Sequence, residues 1–238
     1  MKVTGMNRTT EQRNLLRIYS IDKKENGICL QICSNKTEEK IEESQKKGDS
    51  DMAEFDYEVV NGRKIRVRPQ EVVSEIDENG YFVRQPNHFT EGFGEGKNPV
   101  EAGRYRLVWA KLCHWSNRAS IVRELLGLEN AISVNMVDHE KHEKNLGWEF
   151  VYDKDHIDPV LGIQFLSEAY YKADDDYTGR TTVPALIDTK TGKVINNDYT
   201  WLTHYFEVDF KPFHKKGAPD LYPEELRKDI DEMNDWLF

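Results

Sequence analysis

One cysteine in the chain has a position that could support chemistry. Cys113 follows a strand-like stretch, 104–110, and precedes a segment with helical spacing, Ser116–Leu128. A thiol near the first turn of a helix faces unpaired backbone N–H groups and roughly half a positive charge, which stabilise a thiolate. The placement predicts redox or thiol-transfer chemistry. The position alone also fits a small buried apolar residue, which is what a free cysteine often is.

The composition excludes several classes of protein. The 238 residues carry a net charge of −10, which argues against a nucleic-acid binder or a binder of anionic membranes. The chain has no run of the roughly 18 apolar residues that a membrane helix needs, and no secretory signal is evident. Its three cysteines, Cys29, Cys33 and Cys113, cannot all pair within the chain. They fit a reducing environment, so we expect a cytoplasmic location.

Residues 1–51 differ in character from the rest of the chain. The stretch Asn35–Asp51 is rich in Lys, Glu, Ser, Asp and Gln, which predicts disorder or a solvated helix. Cys29 and Cys33 lack the second ligand pair of a zinc site. A more protein-like segment begins at Met52. A further hypothesis is that 1–51 is a non-native, over-extended reading frame and that Met52 is the natural start, which N-terminal sequencing of the native protein would test.

Residues 52–99 contain a predicted hairpin and a long loop. Apolar residues alternate with polar ones on both sides of Asn61-Gly62, so 55–68 is predicted to form a β-hairpin with a two-residue turn. The stretch 79–99 is rich in Gly, Pro, Asn and Phe, which indicates a loop packed through its aromatic side chains.

The stretch 100–218 alternates strand and helix patterns. The predicted order is βαβαββα, which gives a mixed sheet covered by helices on both faces. The predicted strands are 104–110, 132–137, 182–188 and 193–196, and the predicted helices are 116–128, 164–173 and 198–206. Asp198 is the expected N-cap of the last helix.

The segment 219–238 is predicted to be a helix with an unmatched apolar side. Pro223 and two acids favour a helix start, and an apolar stripe follows at helical spacing: Leu226, Ile230, Met233 and Leu237. We expect this stripe to pack on a missing domain or on one that a partner supplies.

Six spaced motifs of the chain resemble one family, the glutathionyl-hydroquinone reductases or xi-class glutathione transferases. The motifs are Cys113-His114-Trp115-Ser116-Asn117-Arg118, Gly147-Trp148-Glu149-Phe150, Asp158-Pro159-Val160-Leu161-Gly162, 177–184 (YTGRTTVP), 194–199 (VINNDY) and 220–227 (DLYPEELR). The resemblance covers about residues 80–238. It implies a thioredoxin-like glutathione-binding domain over 100–218, with 219–238 as the first helix of an almost absent helical domain.

The resemblance also implies a reaction. Members of the family remove glutathione from glutathionyl-hydroquinones through a cysteine thiolate, and the matching cysteine is Cys113. It would form a mixed disulfide with glutathione, which a second glutathione would resolve. Glutathione is then a co-substrate, and no metal is implied.

The resemblance implies further ligand residues. Pro184 matches the cis-proline of thioredoxin-like folds, which would leave the Val183 backbone able to pair with an extended peptide; an ordinary trans proline is the alternative. Asp198 and Tyr199 match positions at the γ-glutamyl end, and Trp148 and Arg180 match positions near the tripeptide. Helix capping for Asp198, and packing or a surface salt bridge for the others, are the alternatives.

Three departures from the family pattern keep alternatives open. His114 replaces the usual proline, and it either supports the thiolate or points into solvent. Tyr199 replaces the usual serine, so another low-molecular-weight thiol could be preferred. The helical domain that closes the hydroquinone pocket and builds the homodimer is almost absent, which would weaken the dimer. The chain could therefore be a catalytically incomplete fragment that binds thiols or docks a partner through its last helix.

His139 and His142 lie in a charged loop and are expected to be solvated.

Overall fold

The computed structural model describes residues 55–68, 75–139 and 146–237. The described residues do not include 1–52 or His142. The hypotheses about residues 1–51, Met52, Cys29 and Cys33, and the expectation for His142, therefore concern residues outside the described part of the chain.

The first described element is the predicted hairpin. Strands β1, Tyr57–Val60, and β2, Arg63–Arg66, pair antiparallel. Asn61 and Gly62 have φ values of 52° and 77°, the left-handed conformation that a two-residue hairpin turn requires and that Asn-Gly favours. Ile65 and Val67 of the returning strand are buried against Phe165, so the hairpin packs beside the helix that follows Phe165.

A four-stranded mixed sheet forms the centre of the fold. Its strands are β3, Tyr105–Trp109, β4, Ile132–Met136, β5, Ala185–Asp188, and β6, Lys193–Asn196, in the order β4-β3-β5-β6. The pair β3 and β4 is parallel, and the other two pairs are antiparallel. The predicted mixed α/β order is confirmed. The third strand of the sheet is shorter than predicted, because 182–184 form the turn that leads into β5.

The described residues form four α-helices, of which the first three pack on the sheet. They are α1, His114–Leu126, α2, Leu166–Ala173, α3, Leu202–Val208, and α4, Arg227–Leu237, with short 3-10 turns at Lys154–His156, Lys211–Phe213 and Glu224–Leu226. The helix α1 begins at His114 rather than Ser116, and it ends at Leu126 because Gly127 adopts a left-handed φ of 75°. The helices α2 and α3 begin later than predicted, at Leu166 and Leu202.

The apolar core has one layer on each face of the sheet. Leu107 and Leu186 pack with Leu126 of α1 and Phe206 of α3. Val108 and Ile187 point to the opposite face and pack with residues of α2 such as Tyr170. The alternation along each strand therefore places α1 and α3 on one face and α2 on the other.

The helix α4 is amphipathic, and much of its apolar side faces solvent. The exposed fractions are 54% for Met233 and 56% for Leu237, and 48% for Leu226 in the 3-10 turn that directly precedes the helix. Trp236, outside the predicted stripe, is 79% exposed. None of the described helices has the length and hydropathy to cross a membrane.

Candidate functional site

Cys113 is the residue immediately before α1. Its backbone is extended, and its carbonyl oxygen accepts the first hydrogen bond of the helix from the Asn117 N–H at 3.0 Å. The thiol is half-buried and is not part of a disulfide. Its sulfur lies 3.5 Å from the carbonyl oxygen of Val183. The thiol therefore stands at the N-terminal end of α1, which is the positive end of the helix dipole.

The turn that carries the cysteine is fixed by the buried side chain of Ser116. The Ser116 hydroxyl donates to the Ala110 carbonyl at 3.0 Å and accepts the Ala110 N–H at 3.2 Å. The same hydroxyl lies 3.0 Å from the Cys113 carbonyl oxygen. These bonds tie the first turn of α1 to the end of β3. The neighbouring His114 is the first helical residue, and its side chain is exposed.

The peptide bond between Val183 and Pro184 is cis, so the trans alternative is wrong. Val183 is buried beside Cys113, and the residue before it, Thr182, is held by buried groups on both sides. The Tyr170 hydroxyl donates to the Thr182 carbonyl at 2.9 Å, and the Asn197 amide donates to the Thr182 hydroxyl at 3.1 Å. This network fixes the segment that faces the thiol.

Asp198 caps the turn that precedes α3, so its prediction as the N-cap of the helix itself is wrong, because the helix starts at Leu202 and its N-cap residue is Trp201. The Asp198 carboxylate accepts the N–H groups of Thr200 at 3.0 Å and Trp201 at 3.3 Å, while its carbonyl oxygen accepts the Leu202 N–H at 2.9 Å. The side chain also accepts a hydrogen bond from the Asn87 amide at 3.2 Å.

Tyr199 stacks on an aromatic ring of α1. Its ring lies 4.4 Å from that of Trp115, with an interplanar angle of 15°. Because Trp115 belongs to the first turn of α1, the stack brings the start of α3 to the end of α1 that carries Cys113.

Trp148 and Arg180 lie on the wall of one cavity of about 250 Å³. The wall also includes Arg68, His139, Ser167 and Thr181. Cys113 is not among the described residues of this wall, but Thr181 is close in sequence to Val183, which contacts the thiol. The predicted site residues thus fall into three neighbouring groups: the thiol with Val183, the pair at the start of α3, and the cavity.

His139 packs against Trp148 within this cavity wall. The two ring centroids are 4.0 Å apart, and burial lowers the pKa of His139. Within the described residues, no group of three His, Cys, Asp or Glu side chains could hold a metal ion.

The sequence predicts only a loop around Arg84, but this segment joins the groups of the site. The Arg84 guanidinium lies over the Trp115 ring at 4.8 Å and the Tyr199 ring at 5.8 Å. Glu75 is 4.0 Å from Arg84 and forms an ion pair with Arg180. These charges connect the aromatic stack to the cavity.

Gln85 fixes the backbone of Arg180 from the same segment. Its side-chain oxygen accepts the Arg180 N–H at 2.8 Å, and its side-chain nitrogen donates to the Arg180 carbonyl at 3.1 Å. The run Arg84-Gln85-Pro86-Asn87 is a polar stretch inside the aromatic loop, and this contrast is the signal that could have drawn attention to it.

The comparisons with known proteins agree with the resemblance found in the motifs. No family model matches the chain. The chain is 36% identical over 158 residues to glutathionyl-hydroquinone reductase PcpF of Sphingobium chlorophenolicum, covering 65% of this chain and 49% of that protein. The chain therefore spans about half the length of the curated relatives it matches.

Solved structures give the same result. A glutathione-S-transferase Xi from Phanerochaete chrysosporium is similar with a TM-score of 0.59 and 36% identity, over 66% of this chain and 54% of that chain. The glutathione-bound structure of YqjG from Escherichia coli K-12 gives a TM-score of 0.55 and 33% identity, over 63% of this chain and 51% of that chain. At these identities the likeness is one of homology as well as of fold.

Proposed function

We propose that this chain, a homologue of the glutathionyl-hydroquinone reductases or xi-class glutathione transferases, is a thiol-transfer enzyme that reduces glutathionyl-hydroquinones to hydroquinones through a Cys113–glutathione mixed disulfide. The observation that supports it is the position of the Cys113 sulfur. It stands at the N-terminal end of α1, 3.5 Å from the Val183 carbonyl that precedes the cis-proline. We place the reaction in a reducing cytoplasm, where thiols persist.

The proposed reaction has two steps, a displacement at the glutathione sulfur and then a thiol–disulfide exchange. The Cys113 thiolate attacks the glutathione sulfur of the conjugate, an S–S bond forms, and the C–S bond breaks with its electron pair going to the hydroquinone carbon, which takes up a proton. A glutathione thiolate then attacks the mixed disulfide, releasing glutathione disulfide and the Cys113 thiolate. The end of α1 stabilises the thiolate before the first step and after the second.

The tripeptide would lie across all three groups of site residues. The Val183 backbone would pair with its central peptide unit in an extended, strand-like mode. The Asp198 carboxylate, beside Tyr199, would bind the γ-glutamyl ammonium. Trp148 and Arg180 would bind the glycine end in the cavity, since a guanidinium offers a carboxylate two hydrogen bonds. In this proposal 100–218 is the thiol-binding domain, 52–99 covers it and 219–238 is the first helix of a helical domain.

The test follows the protein mass and hydroquinone release together. Wild type is incubated with a glutathionyl-hydroquinone and reduced glutathione, and we expect both an adduct of one glutathione and release of hydroquinone. Cys113→Ser should abolish both, because no other described thiol lies at the site. The control carries Cys29→Ser and Cys33→Ser, which lowers the thiol count and leaves Cys113 intact. Release that persists in Cys113→Ser would contradict the proposal.

A second candidate function is favoured by the exposed apolar side of α4. An adduct without hydroquinone release would indicate a thiol-binding chain that docks a partner through Leu226, Met233 and their neighbours, which are about half exposed. This candidate predicts self-association that grows with concentration in sedimentation experiments. Leu226→Gln with Ile230→Gln should reduce it, while Lys228→Gln, on the polar side, should not. A chain that stays monomeric at all concentrations would reject this candidate.

A further inference from the structure

The cavity beside Trp148 receives a second guanidinium, from the hairpin. Arg68 follows β2 and lines the wall together with Arg180. Among the described residues of the wall, none is acidic. Arg180 already forms an ion pair with Glu75, whereas the described part of the chain gives Arg68 no ion-pair partner. Both guanidiniums line the same wall, and burial first, then the charge of Arg180, lower the pKa of Arg68.

The cavity wall also holds a buried hydroxyl. Ser167, in the first turn of α2, is 2% exposed, and its Oγ makes no hydrogen bond with any described residue. A buried hydroxyl without a partner is unusual, because it loses its hydrogen bonds to water and gains none in return. Two guanidiniums and a hydroxyl donor therefore converge on one space.

We propose that Arg68 is a specificity-determining residue of the thiol site, and that with Ser167 it binds the terminal carboxylate of the thiol in this cavity. This inference rests on the proposed function, and it goes beyond the residues that the family motifs assign. A carboxylate between the two guanidiniums would relieve their repulsion and accept charge-assisted hydrogen bonds. The site would then select thiols that carry a carboxylate at the end far from Asp198.

The proposal makes the hairpin part of the ligand site. The neighbouring Val67 is buried, and its N–H donates to the Asp56 carbonyl at 2.8 Å, which fixes the backbone just before Arg68. The hairpin thereby presents a cation to a cavity whose other walls come from 139–181.

The test compares two unreactive ligands by titration calorimetry: S-methylglutathione and its analogue with the glycine carboxylate converted to an amide. Wild type should prefer the acid roughly tenfold, the size of a charge-assisted hydrogen bond. Arg68→Gln should lower this preference severalfold, and Arg180 should supply the part that remains. Lys64→Gln removes the same charge from an exposed position of the same hairpin, and it should keep the wild-type preference. Ser167→Ala should lower the preference for the acid over the amide severalfold without altering the packing. If Arg68→Gln does not fold, this variant tests whether the cavity binds the carboxylate.

The outcomes separate this inference from the proposed function. Equal affinity of wild type for acid and amide, or an Arg68→Gln variant that retains the full wild-type preference, would overturn the role of Arg68. Absence of binding to both ligands would overturn it as well. The mass measurement on Cys113 judges the thiol-transfer reaction independently, because adduct formation can persist when the far end of the thiol is held weakly.

Discussion

In the proposed function, the Asp198 side chain has two roles, one in folding and one in ligand binding. Its carboxylate accepts N–H groups of Thr200 and Trp201 and so caps the turn that precedes α3, whereas the sequence predicts it as the N-cap of the helix itself. A cap needs only an acceptor oxygen. Binding of an ammonium group needs the negative charge. The two roles can therefore be separated by substitutions that keep or remove the oxygen.

We expect Asp198→Asn to weaken thiol binding roughly tenfold while leaving the free energy of unfolding within about 0.5 kcal/mol, because asparagine caps as well as aspartate. Asp198→Ala should lose the same affinity and also about 1 kcal/mol of stability. Calorimetric titration with S-methylglutathione and urea unfolding provide the two measurements. Wild-type affinity in Asp198→Asn would mean that the residue is a cap alone.

At the residue scale, the sequence predicts what depends on neighbours along the chain. Cys113 could be placed at a helix start because a strand pattern precedes it and a helix pattern follows it. The contribution of Glu75 could not be predicted, since its partner Arg180 lies more than a hundred residues away. No periodicity or turn motif encodes such a pairing, and Glu75 lies outside the predicted hairpin, 55–68, and the predicted loop, 79–99.

At the element scale, the long connection between β4 and α2 is anchored to the sheet by a buried charge. The Asp158 carboxylate is fully buried, and it accepts hydrogen bonds from Arg106 of β3 at 2.7 Å and from Asn135 of β4 at 2.6 Å. Its second oxygen accepts the N–H groups of Val160 and Leu161 at 2.8 and 2.7 Å. This single side chain closes a turn and fixes it to two strands, so the connection that carries Trp148 keeps its position.

Asp158→Asn is expected to destabilise the protein by about 3 kcal/mol, because it leaves the Arg106 guanidinium buried without its counter-charge. Asp155→Asn, an exposed change in the same connection, should cost less than about 0.5 kcal/mol. Urea unfolding measures both values, and hydrogen exchange should show faster opening of 146–165 in Asp158→Asn. Equal losses for the two variants would contradict the anchoring role.

Element existence was predictable from the sequence, and element boundaries were less so. Alternation and helical spacing identify each strand and helix of the central domain, since those patterns follow from which face is buried. The end of α1 depends on Gly127, whose φ of 75° stops the helix, and an added Cβ there would lie 2.5 Å from the Lys215 side chain. That close approach involves a residue far along the chain, and a local pattern cannot indicate it.

At the scale of the whole molecule, tyrosines occupy the core on both faces of the sheet. Tyr105 packs on the side of α1 and α3, while Tyr170 and Tyr177 pack on the side of α2. Burial raises the pKa of Tyr105 to about 12, and it also raises the pKa of Tyr170 and Tyr177 above the usual range. The folded protein thus holds these phenols neutral where the unfolded chain would ionise them.

The difference in ionisation predicts a loss of stability at alkaline pH. Above about pH 10, the unfolded chain binds fewer protons than the folded one, so the free energy of unfolding must fall as pH rises. The contribution of Tyr105 is present below about pH 10 and is lost as pH rises to about 12, a change on the order of 2 kcal/mol. Urea unfolding across this range should show the decline.

Tyr105→Phe should make the decline of the free energy of unfolding with pH shallower, although this variant starts from a lower stability because it loses the hydrogen bond to the Pro99 carbonyl. Tyr81→Phe, at a position 71% exposed, should leave the slope unchanged. A decline that is identical in all three proteins would assign the alkaline sensitivity to other groups, and the buried phenol of Tyr105 would then have no part in it.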